Sequence, residues 1–164
     1  TGGPKEGAQR AKRVQAMQQR LESKLAQNKR IGRLSRQVRM VDTAQGIRID
    51  LVDDADFSMF QLGTTVLTGD AAELLRVLGE VVSGEPGDLT IRGHTDALPW
   101  KGGLGANNWS LSAGRAEATR QALLRQGIVE DRFRRIEGVA DREPLVRDNP
   151  QDPRNRRISI LLLR

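Results

Sequence analysis

The order and texture of the hydrophobic segments predict an α/β protein: a two-layer sandwich with a mixed four-stranded sheet in the order β-α-β-α-β-β, preceded by a long amphipathic helix. Three observations carry this expectation. Residues 5 to 41 repeat apolar side chains at spacings near three and four. Beyond them, short strand-like runs are separated by two stretches of helical period, so helices must cross over between strands. The last run, Arg157 to Leu163, is apolar on both faces, as an interior strand is.

The leading segment has no internal proline between Lys5 and Val41, and Val14, Met17, Leu21, Leu25, Ile31, Leu34, Val38 and Val41 form its stripe. Some 35 helical residues would reach about 50 Å, so the helix either extends from the globular part or docks along it. Lys24, Asn28 and Ser35 interrupt the seam, which argues against a lasting coiled coil. After a turn at Ala44-Gln45-Gly46, Ile47 to Val52 alternates apolar with polar and reads as a strand. Asp53, Asp54 and Asp56 lack the ordered spacing and distal glutamate of a calcium loop, and are expected to form a solvated turn. Ala71 to Val82 is a helix closed by Ser83-Gly84-Glu85-Pro86-Gly87, and Leu89 to Arg92 is the next strand. Residues 97 to 107, with Pro99 and three glycines, form a loop. A helix from about Leu111 to Gln126 comes next, with Asn108, Ser110 or Ser112 available as its N-cap and Gly127 ending it. Arg132 to Gly138 supplies the third strand. The chain thus divides into a basic helical linker, residues 1–45, and a globular domain, residues 46–164.

Charge respects the same division. Residues 1 to 40 hold eleven Lys and Arg against two Glu, and the remainder holds sixteen against nineteen acidic residues, so the overall +6 belongs to the leading segment. That segment has no aromatic side chain to stack on bases, and no nucleic-acid partner is expected. Cysteine is absent, which excludes disulfides and thiolate metal sites. No run of about 18 apolar residues exists, and Thr1-Gly2-Gly3-Pro4 is neither an initiator methionine nor a signal peptide, so a fragment of a longer protein is expected.

Three motifs carry the chemistry: Gly93-His94-Thr95-Asp96, Asn108-Trp109-Ser110-Leu111-Ser112-Ala113-Gly114-Arg115-Ala116, and Asp152-Pro153-Arg154-Asn155-Arg156-Arg157-Ile158-Ser159-Ile160. Asp96 lies just past a strand end, where ligands settle in open α/β sheets. Arg115 falls about one turn inside a helix whose N-terminus favours a carboxylate. An aspartate can take an ammonium, and a guanidinium fork can meet a carboxylate with two parallel hydrogen bonds. Together they fit a zwitterion.

The three motifs, in this order, resemble the signature of the OmpA-like peptidoglycan-binding domain, over about residues 46 to 163. The resemblance implies recognition of the diaminopimelate residue of peptidoglycan stem peptides by Asp96 and Arg115, with Asn108, Thr95 and Leu111 completing the pocket. It also implies a rim formed by Asn155, Arg156 and Arg157. The longer loop after Asp96, containing Ala97-Leu98-Pro99-Trp100, makes the chain similar to the periplasmic part of flagellar stator subunits of the MotB type, with Trp100 a further rim candidate. That likeness implies a periplasmic, homodimeric wall anchor within an inner-membrane-anchored protein. Its partners would be peptidoglycan, a membrane-embedded stator channel subunit and other periplasmic flagellar proteins, and its basic helix would govern anchoring and activation.

Two other readings compete. A hydrolase would have to use His94, the only histidine, yet no Gly-x-Ser-x-Gly elbow marks a nucleophile. One histidine without cysteine leaves only carboxylates as further metal ligands. No catalytic residue, metal or cofactor is therefore expected, and His94 reads as a structural, hydrogen-bonded side chain. Trp109 reads as seating its helix on the sheet. The third reading keeps the fold but makes the protein a general envelope anchor, which a lipidated cysteine upstream would favour over a membrane helix with an intramembrane aspartate.

Overall fold

A computed structural model describes residues 4–98 and 107–164. It contains helix α1 (Pro4–Ala26), a 3₁₀ turn (Gly32–Gln37), strands β1 (Val38–Thr43) and β2 (Gly46–Val52), helix α2 (Gly69–Ser83), strand β3 (Leu89–His94), helix α3 (Asn108–Arg125), and strands β4 (Phe133–Gly138) and β5 (Arg157–Leu163). The sheet order is β1-β2-β5-β3-β4, with β3 and β4 parallel and the other neighbours antiparallel. The final apolar run does sit inside the sheet, inserted between β2 and β3.

The sheet has five strands rather than the four expected, because the long leading helix stops early. It ends at Ala26, and Asn28 then bends the chain: its side chain accepts from the Arg30 amide, and its carbonyl accepts from the amides of Ile31 and Gly32. The apolar positions Leu34, Val38 and Val41 are consistent with helical spacing, but Val38 and Met40 also alternate with Arg39 and Val41. Hydrogen-bonded pairing with β2, from Val38 opposite Leu51 to Thr43 opposite Gly46, decides for the strand. Gly46, at φ 149°, makes the hairpin possible: a side chain there would overlap the carbonyl oxygen of Leu162 on the neighbouring strand.

The helices cover one face of the sheet. Ile49, Leu51, Ile91, Ile158 and Ile160 belong to a single core with Leu74, Leu75 and Leu78 of α2 and Leu123 of α3. The α1 stripe joins that core through Met17, Leu21 and Leu25, each essentially inaccessible. Around this seam the basic helix meets acidic groups of the domain: Arg13 and Arg20 both pair with Glu85 (2.9 and 2.5 Å), Lys24 with Glu80 (3.2 Å) and Arg10 with Asp42 (3.1 Å). Such pairs each contribute little, so burial of the three apolar side chains holds the helix and the charges align it.

The opposite face carries a polar network. Asp50, fully buried, accepts from Ser159 Oγ (2.6 Å) and pairs with Arg48 and Arg157 (3.0 and 3.3 Å). His94 is buried beside it, with Nε2 3.3 Å from Ser159 Oγ, which agrees with a structural role. Burial, reinforced by the neighbouring Arg157, Arg92 and Arg48, pushes its pKa down to about 3.

This architecture predicts two outcomes. Leu21→Ala should cost about 2–4 kcal/mol in denaturant unfolding; a change below about 0.5 kcal/mol would mean that the helix is not docked in solution. His94 stays neutral in the folded chain while the unfolded chain binds a proton below about pH 6.5, so stability should fall with a slope approaching about 1.4 kcal/mol per pH unit between roughly pH 6.5 and 3. Comparing His94→Asn with the parent across that range isolates the contribution, and parallel curves would refute it.

Candidate functional site

Two glycines set the site's geometry. A Cβ on Gly93 of β3 would overlap the carbonyl oxygen of Ser112, and one on Gly138 of β4 would overlap the amide nitrogen of Ala113. The first turns of α3 therefore rest directly on the backbone of two parallel strands. Ser112, fully buried, ties them to the chain beyond β4 by accepting from the Ala140 amide (3.0 Å). The N-cap is Asn107 rather than any of the three residues expected: its side chain accepts from the Ser110 amide (2.9 Å), and Ser110 Oγ accepts in return from the Asn107 amide (3.1 Å). This reciprocal box pins the start of α3 and the position of Arg115 within it.

Arg115 is 7% exposed. Its Nε donates to the carbonyl of Thr64 (2.8 Å), and its guanidinium lies 5.0 Å from the centroid of Phe60. Among the described residues, its two terminal nitrogens donate no hydrogen bond. Burial lowers its pKa, while Asp53 and Asp96 act in the opposite sense; an arginine stays charged throughout.

Asp96 is 6% exposed and fully engaged. One oxygen accepts from the Leu98 amide (3.0 Å), and the other accepts from Arg156 Nη1 (2.7 Å). Arg156 extends to Asp53 as well, donating from Nε at 3.0 Å. Asp53 accepts in addition from the Met59 amide (2.9 Å), and burial is the largest influence on its carboxyl, whose pKa is raised overall. The solvated acidic turn expected here is thus half wrong: Asp56 is exposed, but Asp53 is 4% exposed and belongs to the site. Its signal in the sequence is position alone, one residue beyond the end of β2.

The structure gathers Asp96, Arg115 and Arg156, and distributes the other candidates around them. Leu111 is buried at the start of α3, and Asn108 donates to the carbonyl of Leu98 (3.3 Å). Thr95 is buried; its amide donates to the carbonyl of Ala140 (2.9 Å), and its hydroxyl has no hydrogen-bond partner among the described residues. Asn155 ties a loop instead of facing the crevice: it accepts from the Val146 amide (2.7 Å) and donates to the carbonyls of Val146, Asn149 and Pro150. Arg157 points to the polar face, toward Asp50 and the carbonyl of Glu143 (2.9 Å). Trp100 lies outside the described residues. Trp109 does not seat the helix on the sheet, being 50% exposed with Arg142 over its ring at 5.6 Å, because Ser112 and Ala113 occupy the sheet-facing positions.

Between Arg115 and Arg156 the side chains leave a crevice of about 10 Å³, walled also by Asp53, Met59, Phe60, His94, Arg157 and Ile158. It has room for about one water. Asp53, Asp96, Arg115 and Arg156 form a set of charges that sums to zero, and Arg157 at the same crevice is paired with Asp50. No group of histidine, aspartate and glutamate able to hold a metal occurs among the described residues.

Comparison with known proteins gives the family and the fold. Residues 59–157 match the profile of the OmpA family. Motility protein B of Escherichia coli (strain K12) is 36% identical over 120 residues, covering 73% of this chain and 39% of that protein, and Motility protein B of Bacillus subtilis is 25% identical over 133 residues, 80% and 50% of the two chains. The chain therefore spans about two fifths of the length of its E. coli relative. Among solved structures, the periplasmic domain of Helicobacter pylori MotB superposes with a TM-score of 0.70 at 17% identity, covering 81% of this chain and 83% of that one. The cell wall anchor of the T6SS from Pseudomonas aeruginosa superposes at 0.67 with 24% identity, over 88% and 96%. The chain belongs to the OmpA family and has the fold of MotB periplasmic domains.

Proposed function

We propose that this chain is a non-catalytic periplasmic domain that grips peptidoglycan and anchors a flagellar motor stator to the cell wall. The observation that carries the reading is Arg115: a largely buried guanidinium whose Nε is held by Thr64 and whose terminal nitrogens, making no hydrogen bond among the described residues, stay accessible at the crevice beside a carboxylate at a strand end. Such a poorly solvated fork favours a ligand that supplies the missing acceptors. A carboxylate is that ligand, and it would receive the paired hydrogen bonds that the fork offers.

Charge balance argues for a zwitterion. A lone anion would leave a nearly buried site at −1 and a lone cation at +1, whereas a group carrying both leaves the balance at zero. The outer end of diaminopimelate, with an ammonium and a carboxylate on one carbon, meets this condition. Its carboxylate would go to Arg115 and its ammonium to Asp96. Arg156 already holds one oxygen of Asp96, so an ammonium would share that carboxylate with it or displace it onto Asp53. Asn108, Thr95 and Leu111 shape the approach from the α3 side. Catalysis has no support from His94, which is buried, nearly unable to take a proton near neutrality, and directed into a structural network.

Within the larger protein, residues 1–45 would act as the spacer between membrane and wall, and the wall-binding part would function as a homodimer beside a membrane-embedded channel subunit and other periplasmic flagellar proteins. The relatives named Motility protein B support this reading, as does the basic helix resting on an acidic flank by a short apolar seam. Docked, α1 keeps the domain near the membrane; released, it lets the domain reach the wall.

Sedimentation with purified sacculi tests the clamp. Asp96→Ala and Arg115→Ala should each weaken binding at least about tenfold while remaining folded, as loss of a charge-assisted bond in a desolvated site predicts. Parent-like binding by both variants would end the assignment. For the spacer, Glu85→Lys removes the partner of Arg13 and Arg20. Amide exchange over α1 should accelerate and sacculus binding should rise, whereas faster exchange with unchanged binding would show that the helix exerts no restraint.

A further inference from the structure

The clamp crevice is too small for more than the tip of a ligand, yet a much wider cleft adjoins it. On the far side of Asp53, a cavity of about 520 Å³ opens between the 3₁₀ turn with the start of β1 and the loop before β5. Asp53 lines both spaces, and its side chain, held by Arg156, forms the wall between them. The cleft has a peptide-like lining: Val52, Leu145 and Val146 are apolar, and Arg36 and Arg39 stand at its edge.

Among the described residues, three charged side chains of the cleft, Arg36, Arg39 and Asp56, make no ion pair or hydrogen bond, whereas the others are engaged. Asp53 is engaged by Arg156, Asp54 accepts from Gln37 Nε2 (2.6 Å) and the Asp56 amide (2.8 Å), and Arg154 pairs with Asp152 (2.9 Å). Arg36 and Arg39 are exposed, and among the described residues neither makes an ion pair or a side-chain hydrogen bond; Arg36 acts on Asp54 only at longer range. The opposite wall is held rigidly, since Asn155 binds the amide and the carbonyl of Val146. Consecutive residues of one motif thus serve adjoining spaces, with Arg154 and Asn155 building the cleft and Arg156 the clamp.

We infer that this cleft is a second subsite, taking the peptide that continues from the clamped zwitterion and pairing Arg36 and Arg39 with a free carboxylate on it. The inference rests on the wall-binding reading. In a peptidoglycan stem peptide the residue linked before the diamino acid is a γ-linked glutamate, which leaves its α-carboxylate free. A guanidinium pair recognises such a group by charge-assisted hydrogen bonds, and an apolar floor accommodates the neighbouring methyl and methylene groups. Arg36 lies in the 3₁₀ turn after α1 and Arg39 in β1, so the leading segment would take part directly in holding the wall.

The test uses the full chain and three soluble probes: free diaminopimelate, the tripeptide L-Ala-γ-D-Glu-diaminopimelate, and the same tripeptide with its glutamate α-carboxylate amidated. The variant is Arg36→Gln/Arg39→Gln, with circular dichroism and thermal unfolding to show that it is folded. Calorimetric titration should find the acid tripeptide bound about five- to tenfold more weakly by the variant, with diaminopimelate bound equally by both proteins. Amidation should lower affinity for the parent by a similar factor and leave the variant unaffected. Equal affinity of parent and variant for the acid tripeptide, with diaminopimelate still bound, would overturn the second subsite and spare the clamp. Failure of the parent to bind any probe would overturn both.

Discussion

The approach of α3 to the backbones of β3 and β4 is the constraint on which the rest of the site depends. Gly93 and Gly138 leave no room for a side chain, so Ser112 and Ala113 sit against the strands and the helix start cannot shift without a collision. With the helix start fixed by the Asn107–Ser110 box, Arg115 is carried to the end of β3, where Asp96 leaves the sheet. The glycine that opens the Gly-His-Thr-Asp motif thus has a packing duty, and the aspartate three residues later has the chemical one. The geometry of the charged groups here depends on backbone contact as much as on the groups themselves.

Around that contact, charge is arranged so that the site is neutral but incompletely satisfied. Arg156 spans two buried carboxylates, Asp53 and Asp96, which satisfies one oxygen of each. Arg115 is compensated in charge yet short of hydrogen-bond acceptors. Such a site resists collapse, because removing any one member strands its partners in a poorly solvated place.

The leading segment is part of this fold. Its helix contributes three side chains to the common core, and its last residues form a strand of the sheet. The helix is nevertheless attached over a short seam bordered by exposed ion pairs, whereas β1 is held by a full ladder of hydrogen bonds to β2. Local opening free energies should therefore differ between the two, with α1 at the low end. A spacer that moves would pivot near Asn28, where helix and strand are joined by turns.

The helices α2 and α3, the interior position of β5, the placing of Asp96 past a strand end and of Arg115 about one turn inside α3, and the hydrogen-bonded burial of His94 are all legible in the residues, because each depends on local periodicity, capping chemistry or a motif of adjacent residues. The exceptions share one physical cause. Residues 31 to 41 fit a helical stripe and an alternating strand equally well, and only hydrogen bonding to β2 chooses between them. Asp53 looks like any acidic turn residue until β5 brings Arg156 beside it from more than a hundred positions away. Trp109 has the size of a core residue, but the glycine contacts turn Ser112 and Ala113 toward the sheet in its place. Periodicity and local motifs are enough for the fold class and for placing a carboxylate at one strand end; which charges face one another depends on the folded chain, since partners distant in sequence meet only when the sheet order is set.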